Sequence, residues 1–215
     1  MTNPWFSCHF LVAGLFLCSS ALTPEECEPL VKPLSLADPK LMLGRMNTLL
    51  GYTDSEIFNE LLKLTESSWL KISASPFSPG ELVMSEENKI QGNCFGSSVN
   101  ITFNGDTATA SIANITSVFH VLPSCEGCLV FSINTTVRDF SKFLHVMKLN
   151  ITAEAEALDA RSLYLMGKES TVKDADLEHF KQQASCLGFS REPDFHHNPE
   201  KEFCEEGEGV SLKFR

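Results

Sequence analysis

The chain has 215 residues, 21% of them charged, and a formal net charge of −11, which fits one domain or at most two small ones. Its acidic balance argues against nucleic acids and anionic membranes as partners, because both attract basic surfaces. No later segment approaches the roughly 20 apolar residues that a membrane-spanning helix needs. We therefore expect a soluble, monomeric protein.

The first 21 residues are predicted to be a secretory signal peptide. Residues 1–21 contain no Asp, Glu, Lys or Arg, residues 10–17 are apolar, and the small residues Ser19 and Ala21 suit a cleavage site after Ala21. A buried N-terminal helix is the alternative, but the apolar run is short and the chain turns polar directly after it. The prediction places the mature protein outside the cell.

Three short elements are predicted before the main body of the domain. Residues 27–39 are spaced by prolines and are expected to form an extended arm, and residues 43–52 have the composition of a strand. Residues 53–64 are predicted to form a helix, because Thr53 can cap it, Glu56 completes a capping box and apolar residues recur at helical spacing.

Residues 67–165 carry the pattern of antiparallel β-structure. Short runs of β-branched and aromatic residues alternate with turn sequences, of which Asn104-Gly105 is the strongest hairpin signal. Strands of this length and spacing are typical of an antiparallel barrel or sandwich. A single amphipathic helix is then predicted over residues 171–187, with Thr171 and Asp174 as its capping box and Gly188 at its end.

The cysteines indicate a chain stapled by disulfides. Cleavage after Ala21 would leave six, namely Cys27, Cys94, Cys125, Cys128, Cys186 and Cys204. An even count in an exported chain predicts disulfides, and six cysteines allow fifteen pairings. We expect residues 22–190 to form one domain and the acidic tail, residues 191–215, to be held by Cys204.

Four N-glycosylation sequons lie in the strand region. Their acceptors are Asn100, Asn114, Asn134 and Asn150. A glycosylated Asn faces solvent and strand side chains alternate, so we expect all four on the outer surface or in turns. The residues predicted to face inward are therefore Val99, Ile101 and Phe103 beside Asn100, and Leu129, Phe131 and Ile133 beside Asn134.

Several segments resemble the lipocalins. Residues 27–33 are similar to the start of the alpha-1-acid glycoproteins, and Gly44-Arg45-Met46 occupies the place of the lipocalin Gly-x-Trp motif, with Met46 filling the space of the Trp. The segments similar to the saxitoxin-, tetrodotoxin- and tributyltin-binding proteins of fish are residues 51–54, 65–69, 125–128 and 184–189. The resemblance covers most of the mature chain.

This resemblance implies an all-β fold: an eight-stranded antiparallel up-and-down barrel with one C-terminal amphipathic α-helix packed outside. It also implies the disulfides Cys27–Cys186 and Cys94–Cys204, which leave Cys125 to pair with Cys128 in a turn. The residues that it places in the ligand-binding interior are Leu70, Ile72, Met84, Glu86, Asn88, His120, Leu122, Leu129, Phe131, Ser162, Tyr164 and Met166.

Glu86 is the most informative of these candidates. It shares one face of residues 82–89 with Leu82, Met84 and Asn88, and the resemblance turns this face toward the interior. A carboxylate in an apolar cup would bind amines or guanidinium groups through charge-assisted hydrogen bonds. The alternative is a solvated acid on an edge strand, because Glu is usually exposed.

Nothing in the sequence favours catalysis. Cys125-Glu-Gly-Cys128 lies in a predicted hairpin turn, which favours a structural disulfide over a redox dithiol. The adjacent His196 and His197 are too few for a zinc site. Because all six cysteines can pair, no free thiol remains as a nucleophile. We therefore predict no enzyme activity, no cofactor and no metal.

Two functions remain open. The first is a secreted glycoprotein carrier that binds small hydrophobic, amphipathic or cationic molecules, such as toxins or xenobiotics, in the barrel. The second is an acute-phase or immune-modulating glycoprotein that acts through its surface and glycans. Removal of the glycans should leave ligand binding unchanged in the first case and abolish activity in the second.

Overall fold

A computed structural model describes residues 22–75, 81–112, 114–138 and 157–211. The predicted signal peptide and the sequon at Asn150 lie outside these residues. No helix in the described part of the chain is long and apolar enough to cross a membrane.

The main body is a closed barrel of eight antiparallel strands, as predicted. Each strand pairs with the next in sequence, and β8 returns to pair with β1. The strands are β1 Gly44–Thr53, β2 Thr65–Ala74, β3 Leu82–Ile90, β4 Asn93–Asn104, β5 Thr107–Ile112, β6 Ile115–Leu122, β7 Cys128–Arg138 and β8 Ala157–Gly167. The predicted hairpin at Asn104-Gly105 joins β4 to β5, and Gly105 takes the positive φ of 67° that this turn requires.

Three α-helices accompany the barrel: α1 Pro24–Val31, α2 Glu56–Leu64 and α3 Asp174–Cys186. A 3-10 helix, Pro39–Met42, precedes β1. The extended arm predicted for residues 27–39 was wrong at its start, because α1 covers Cys27 to Val31. Pro24 sits in the first turn of α1, and Thr23 and Glu26 form a reciprocal capping box.

The two later helices occur where they were predicted but begin with other caps. Ser55, rather than Thr53, caps α2 by accepting a hydrogen bond from the backbone N–H of Phe58. At α3 the N-cap is Lys173, which makes no side-chain capping bond, so the expected box of Thr171 and Asp174 does not form. Both helices therefore start two to three residues later than predicted.

Apolar side chains form one cluster inside the barrel and another outside it. The inner cluster fills the end of the barrel near the 3-10 helix, and we call this filled end the floor. The floor residues are Leu36, Met42, Met46, Ile72, Leu82, Ile101, Ala108, Val121 and Leu129. The outer cluster lies between α3 and the barrel wall, where Phe180 and Ala184 of the helix pack against Tyr52, Leu122 and Leu163.

Three disulfides staple the described chain. Cys27–Cys186 joins α1 to the end of α3, and Cys94–Cys204 joins the C-terminal segment to β4. Both match the expected pairing. The third, Cys125–Cys128, closes the tight turn before β7.

The C-terminal segment is ordered against the barrel by hydrogen bonds as well as by Cys204. The indole N–H of Trp69 donates to the carbonyl of Cys204 at 2.7 Å. Glu87 faces outward on β3, yet it is only 6% exposed because its carboxylate accepts the backbone N–H groups of Gly207 and Gly209 at 2.9 and 3.2 Å. A Cβ atom on Gly209 would lie 2.7 Å from the backbone carbonyl carbon of Phe95 in β4, so this close approach of the two chains requires glycine.

Candidate ligand-binding site

The half of the barrel opposite the floor is not filled and encloses a cavity of about 290 Å³. A second cavity of about 190 Å³ adjoins it, and the two share the lining residues Leu70, Glu86, Asn88, Phe131, Ile133 and Tyr164. We treat them as two lobes of one ligand site. Helix α2 lies over this end, with Phe58 lining the larger lobe and Leu62 the smaller.

The floor closes the site from below. Met46, at the position of the lipocalin Trp, is 5% exposed and packs among the floor residues. On the neighbouring position Arg45 faces outward, where its guanidinium lies 4.3 Å from the centre of the Trp69 ring. Met46 therefore fills the floor with an aliphatic side chain, while the cation–aromatic contact is made on the outer surface.

The lobes are mostly apolar, with hydroxyl groups and one carboxylate. Within the described chain Glu86 is the charged residue among those that line them. It is enclosed by the barrel walls, which raises the pKa of its carboxyl group, although a hydrogen bond from Ser97 acts in the opposite direction. Burial also raises the pKa of Tyr164 to about 12, and the negative charge of Glu86 adds to this shift.

As an anion, Glu86 therefore carries a desolvation cost that the hydrogen bond from Ser97 offsets only in part. No Lys, Arg or His lines either lobe in the described residues. A carboxylate that is removed from water without a cationic partner is unfavourable, and a ligand that supplies the partner recovers part of that cost. Asn88 lies two residues further along β3 and therefore on the same face as Glu86. Its side-chain amide offers both a hydrogen-bond donor and an acceptor to a ligand there.

Most of the residues predicted for the interior lie inside the barrel. Lobe residues among them are Leu70, Met84, Glu86, Asn88, Phe131, Ser162, Tyr164 and Met166. Ile72 and Leu129 also point inward, but they belong to the floor rather than to the cavity wall. The inward faces deduced from Asn100 and Asn134 agree with this register, since both asparagines are exposed.

His120 and Leu122 were placed on the wrong face of β6. The residues of β6 that face the interior are Ser117, Phe119 and Val121. His120 lies outside, where its Nδ1 is 3.1 Å from the carbonyl oxygen of Asp106, and Leu122 packs beneath α3. The resemblance had placed both residues inside, and alternation offered no check on it, because β6 is apolar on both faces near Leu122, where α3 covers the outer face.

Two parts of the site that lie outside the eight barrel strands were missed by the sequence analysis. Phe58 and Leu62 come from α2, whose amphipathic pattern predicts a buried face but not what that face covers. Phe195 comes from the segment after α3, which was taken for an irregular tail, and it lines the smaller lobe. Its apolar side chain in an acidic, polar segment was the available signal.

The described residues show one group with the composition of a metal site, Cys94, Cys204 and Glu208. Both sulfur atoms are consumed in the Cys94–Cys204 disulfide, so no thiolate is available there. All six described cysteines are paired in this way.

Comparisons with other proteins support the fold. No family model and no curated sequence matches the chain. Among solved structures, a siderocalin described as having a dual ligand binding mode aligns with a TM-score of 0.55 at 14% identity, covering 79% of this chain and 96% of that one. A bovine lipocalin allergen aligns with a TM-score of 0.48 at 17% identity, covering 70% and 88%. An odorant-binding protein aligns with a TM-score of 0.48 at 16% identity, covering 70% and 86%. Together with the closed eight-stranded barrel and the helix packed outside it, the siderocalin alignment establishes that this chain has the lipocalin fold.

Proposed function

We propose that this protein is a secreted, monomeric carrier that sequesters a small amphipathic molecule in the barrel. The observation that carries the proposal is the cavity of about 290 Å³ with apolar walls and the half-buried carboxylate of Glu86 that lines it. Enclosed apolar cups with a few convergent polar groups are the usual form of small-molecule sites. Burial of the ligand's apolar surface supplies the main driving force.

Glu86 gives the site a preference for cations. An ammonium or guanidinium group beside Glu86 would form charge-assisted hydrogen bonds, with Asn88 and the hydroxyls of Ser97 and Tyr164 as further partners. A neutral apolar ligand gains nothing from the carboxylate. The resemblance to the fish toxin-binding proteins favours guanidinium toxins and organic xenobiotics as ligand classes.

Two matched probes test this preference. 1-Naphthylmethylammonium and 1-naphthylmethanol share one aromatic body and differ in the cationic group. We expect Glu86→Gln to weaken the ammonium probe by one to two decades, since charge-assisted bonds contribute roughly 1.5–3 kcal/mol and each decade corresponds to about 1.4 kcal/mol. The alcohol should bind both proteins equally in titration calorimetry. Equal losses for both probes, or no loss for either, would refute the role of Glu86.

We also propose that the protein is exported and glycosylated. Three disulfides suit an oxidising compartment. Asn100, Asn114 and Asn134 are exposed, with Asn114 at the β5–β6 hairpin and the other two on the outer barrel face. Mass spectrometry of the secreted protein before and after glycosidase treatment tests this. If the glycan-free protein binds the probes unchanged, the carrier function is favoured over modulation through surface glycans.

A further inference from the structure

The barrel wall has an opening between β1 and β2, and the C-terminal segment fills it. β1 pairs with β2 only near its start, where Gly44 to Asn47 lie opposite Ile72 to Trp69. Further along, Leu50 and Gly51 of β1 pair instead with His196 and Phe195. The short strand Phe195–His196, which we call β9, is therefore inserted where the first residues of β2 would otherwise close the barrel.

Phe195 seals this opening from the inside. Its side chain is 5% exposed and lines the smaller lobe together with Leu62 of α2 and Trp69 of β2. His196, the next residue, is exposed on the opposite side of β9. A residue more than one hundred positions away from β1 and β2 in sequence thus forms part of the wall of the ligand site.

The residue before Phe195 holds the helix that covers the site. The Asp194 side chain is 6% exposed. Its carboxylate accepts the backbone N–H of Thr53 at 2.8 Å, the Arg191 guanidinium at 2.7 Å and the side-chain amide of Asn59. Asn59 lies in the middle of α2, next to Phe58 and three residues before Leu62, the two side chains that α2 presents to the lobes.

The two ends of α2 are attached to the barrel by the chain itself, whereas its middle is attached by a hydrogen bond. Its start follows Asp54, which is bound to Arg161 of β8, and its end runs directly into β2 at Thr65. Both ends are thus continuous with the barrel wall. The Asn59–Asp194 hydrogen bond ties the body of the helix to the C-terminal segment, so α2 and Phe195 are joined through one buried carboxylate.

We infer that residues 191–197 form a gate for the ligand site, in which Asp194 holds α2 and Phe195 closed over the lobes and so sets the rates of ligand entry and release. This inference rests on the proposed carrier function. A hydrogen bond to a buried carboxylate favours the closed state, and its loss raises the population of the open state. Entry and release both pass through the open state, so both rates rise while their ratio changes little.

Stopped-flow fluorescence with the neutral probe N-phenyl-1-naphthylamine tests the gate. Asn59→Ala removes the tie on a helix where alanine is well tolerated, and Asp194→Asn weakens it from the other side. We expect both rate constants to rise at least tenfold, with the equilibrium constant changed less than threefold. Lys63→Ala is the matched control, because Lys63 lies on α2 and pairs only with Glu60 of the same helix among the described contacts. Unchanged rates in both variants, or equal acceleration in the control, would overturn the gate.

Hydrogen exchange provides a readout that does not depend on the probe. In Asn59→Ala the amides of residues 56–64 should exchange at least fivefold faster, while those of the floor residues keep their rates. If the α2 amides of Asn59→Ala exchange at the wild-type rate, the role of Asp194 in holding α2 is contradicted. A wild-type protein that binds none of the probes would refute the carrier function, and the exchange experiment would then still decide whether Asp194 holds α2.

Discussion

The two ends of the barrel interior are built from the same strands but differ in what their inward residues achieve. At the floor, the inward side chains of β1, β2, β4 and β7 are aliphatic and nearly inaccessible, as for Ile72 at 1% and Leu129 at 6% exposure. At the opposite end the same strands present smaller or polar groups such as Ser97 and Thr135, which leave the cavity. The difference shows that one alternating pattern can build a packed core and a binding site in a single barrel, with side-chain volume deciding between them.

Loss of the Cys94–Cys204 disulfide should have the largest effect on stability, and it should loosen the open end of the barrel more than the floor. The bridge closes a loop of 110 residues and holds the C-terminal segment that seals the open end. We expect the double variant Cys94→Ala, Cys204→Ala to lower the free energy of unfolding by about 2–5 kcal/mol in urea titrations. Its β9 and α2 amides should exchange faster than its floor amides. Equal acceleration of amide exchange at the floor and at the open end would contradict the distinction between the two ends.

Truncation of matched leucines compares the ends directly. Leu129→Ala in the floor should cost about 3 kcal/mol of unfolding free energy, because it leaves a cavity in a packed cluster. Leu70→Ala, which borders both lobes, should cost less than half as much, since its side chain already faces open space. Urea unfolding measures both free energies, and they can be compared directly if the two variants have equal m-values. Equal costs would mean that the open end is packed as tightly as the floor.

The pH dependence of stability should reveal the carboxylate of the open end. Burial raises the pKa of Glu86, so the folded state holds this proton more tightly than the unfolded state. Its contribution is fully present below the unfolded pKa and is lost as the pH rises through the raised folded pKa. We therefore expect Glu86→Gln to be more stable than wild type at pH 8 by on the order of 1 kcal/mol, and equal to it near pH 4.

The matched control for this measurement is Glu81→Gln, at an exposed position just before β3. Because Glu81 lines neither lobe, this variant should bind 1-naphthylmethylammonium as the wild type does. Affinity for 1-naphthylmethylammonium should rise over the interval in which Glu86 loses its proton, because only the carboxylate attracts the cation. A pH-independent affinity in the wild type would contradict the assignment.

His120 provides the smallest expected effect and tests the corrected register of β6. The side chain of His120 lies outside the barrel beside Asp106. We therefore expect His120→Ala to change the affinity for N-phenyl-1-naphthylamine by less than twofold. Phe119→Ala, one residue earlier and facing the larger lobe, should weaken the same probe by at least tenfold. Fluorescence titration of both variants measures the pair. A larger loss of affinity in His120→Ala than in Phe119→Ala would instead support the original expectation that His120 faces the interior.

The sequence by itself determined the antiparallel β-structure, the C-terminal helix and the inner faces of β4 and β7, whereas the barrel and the inner faces of β3 and β8 were expected only from the resemblance to the lipocalins. What the residues alone determined follows from short-range physics: strand side chains alternate, and the sequons at Asn100 and Asn134 mark the solvent face. The alternation of residues 82–89 gave two faces but left open which of them lies inside. Only the tertiary structure decided the face of β6, the burial of Glu87 and the roles of Asp194 and Phe195. Each of these depends on a segment distant in sequence that covers a surface which the local pattern leaves open: α3 over Leu122, Gly207 and Gly209 over Glu87, and β9 in the opening between β1 and β2.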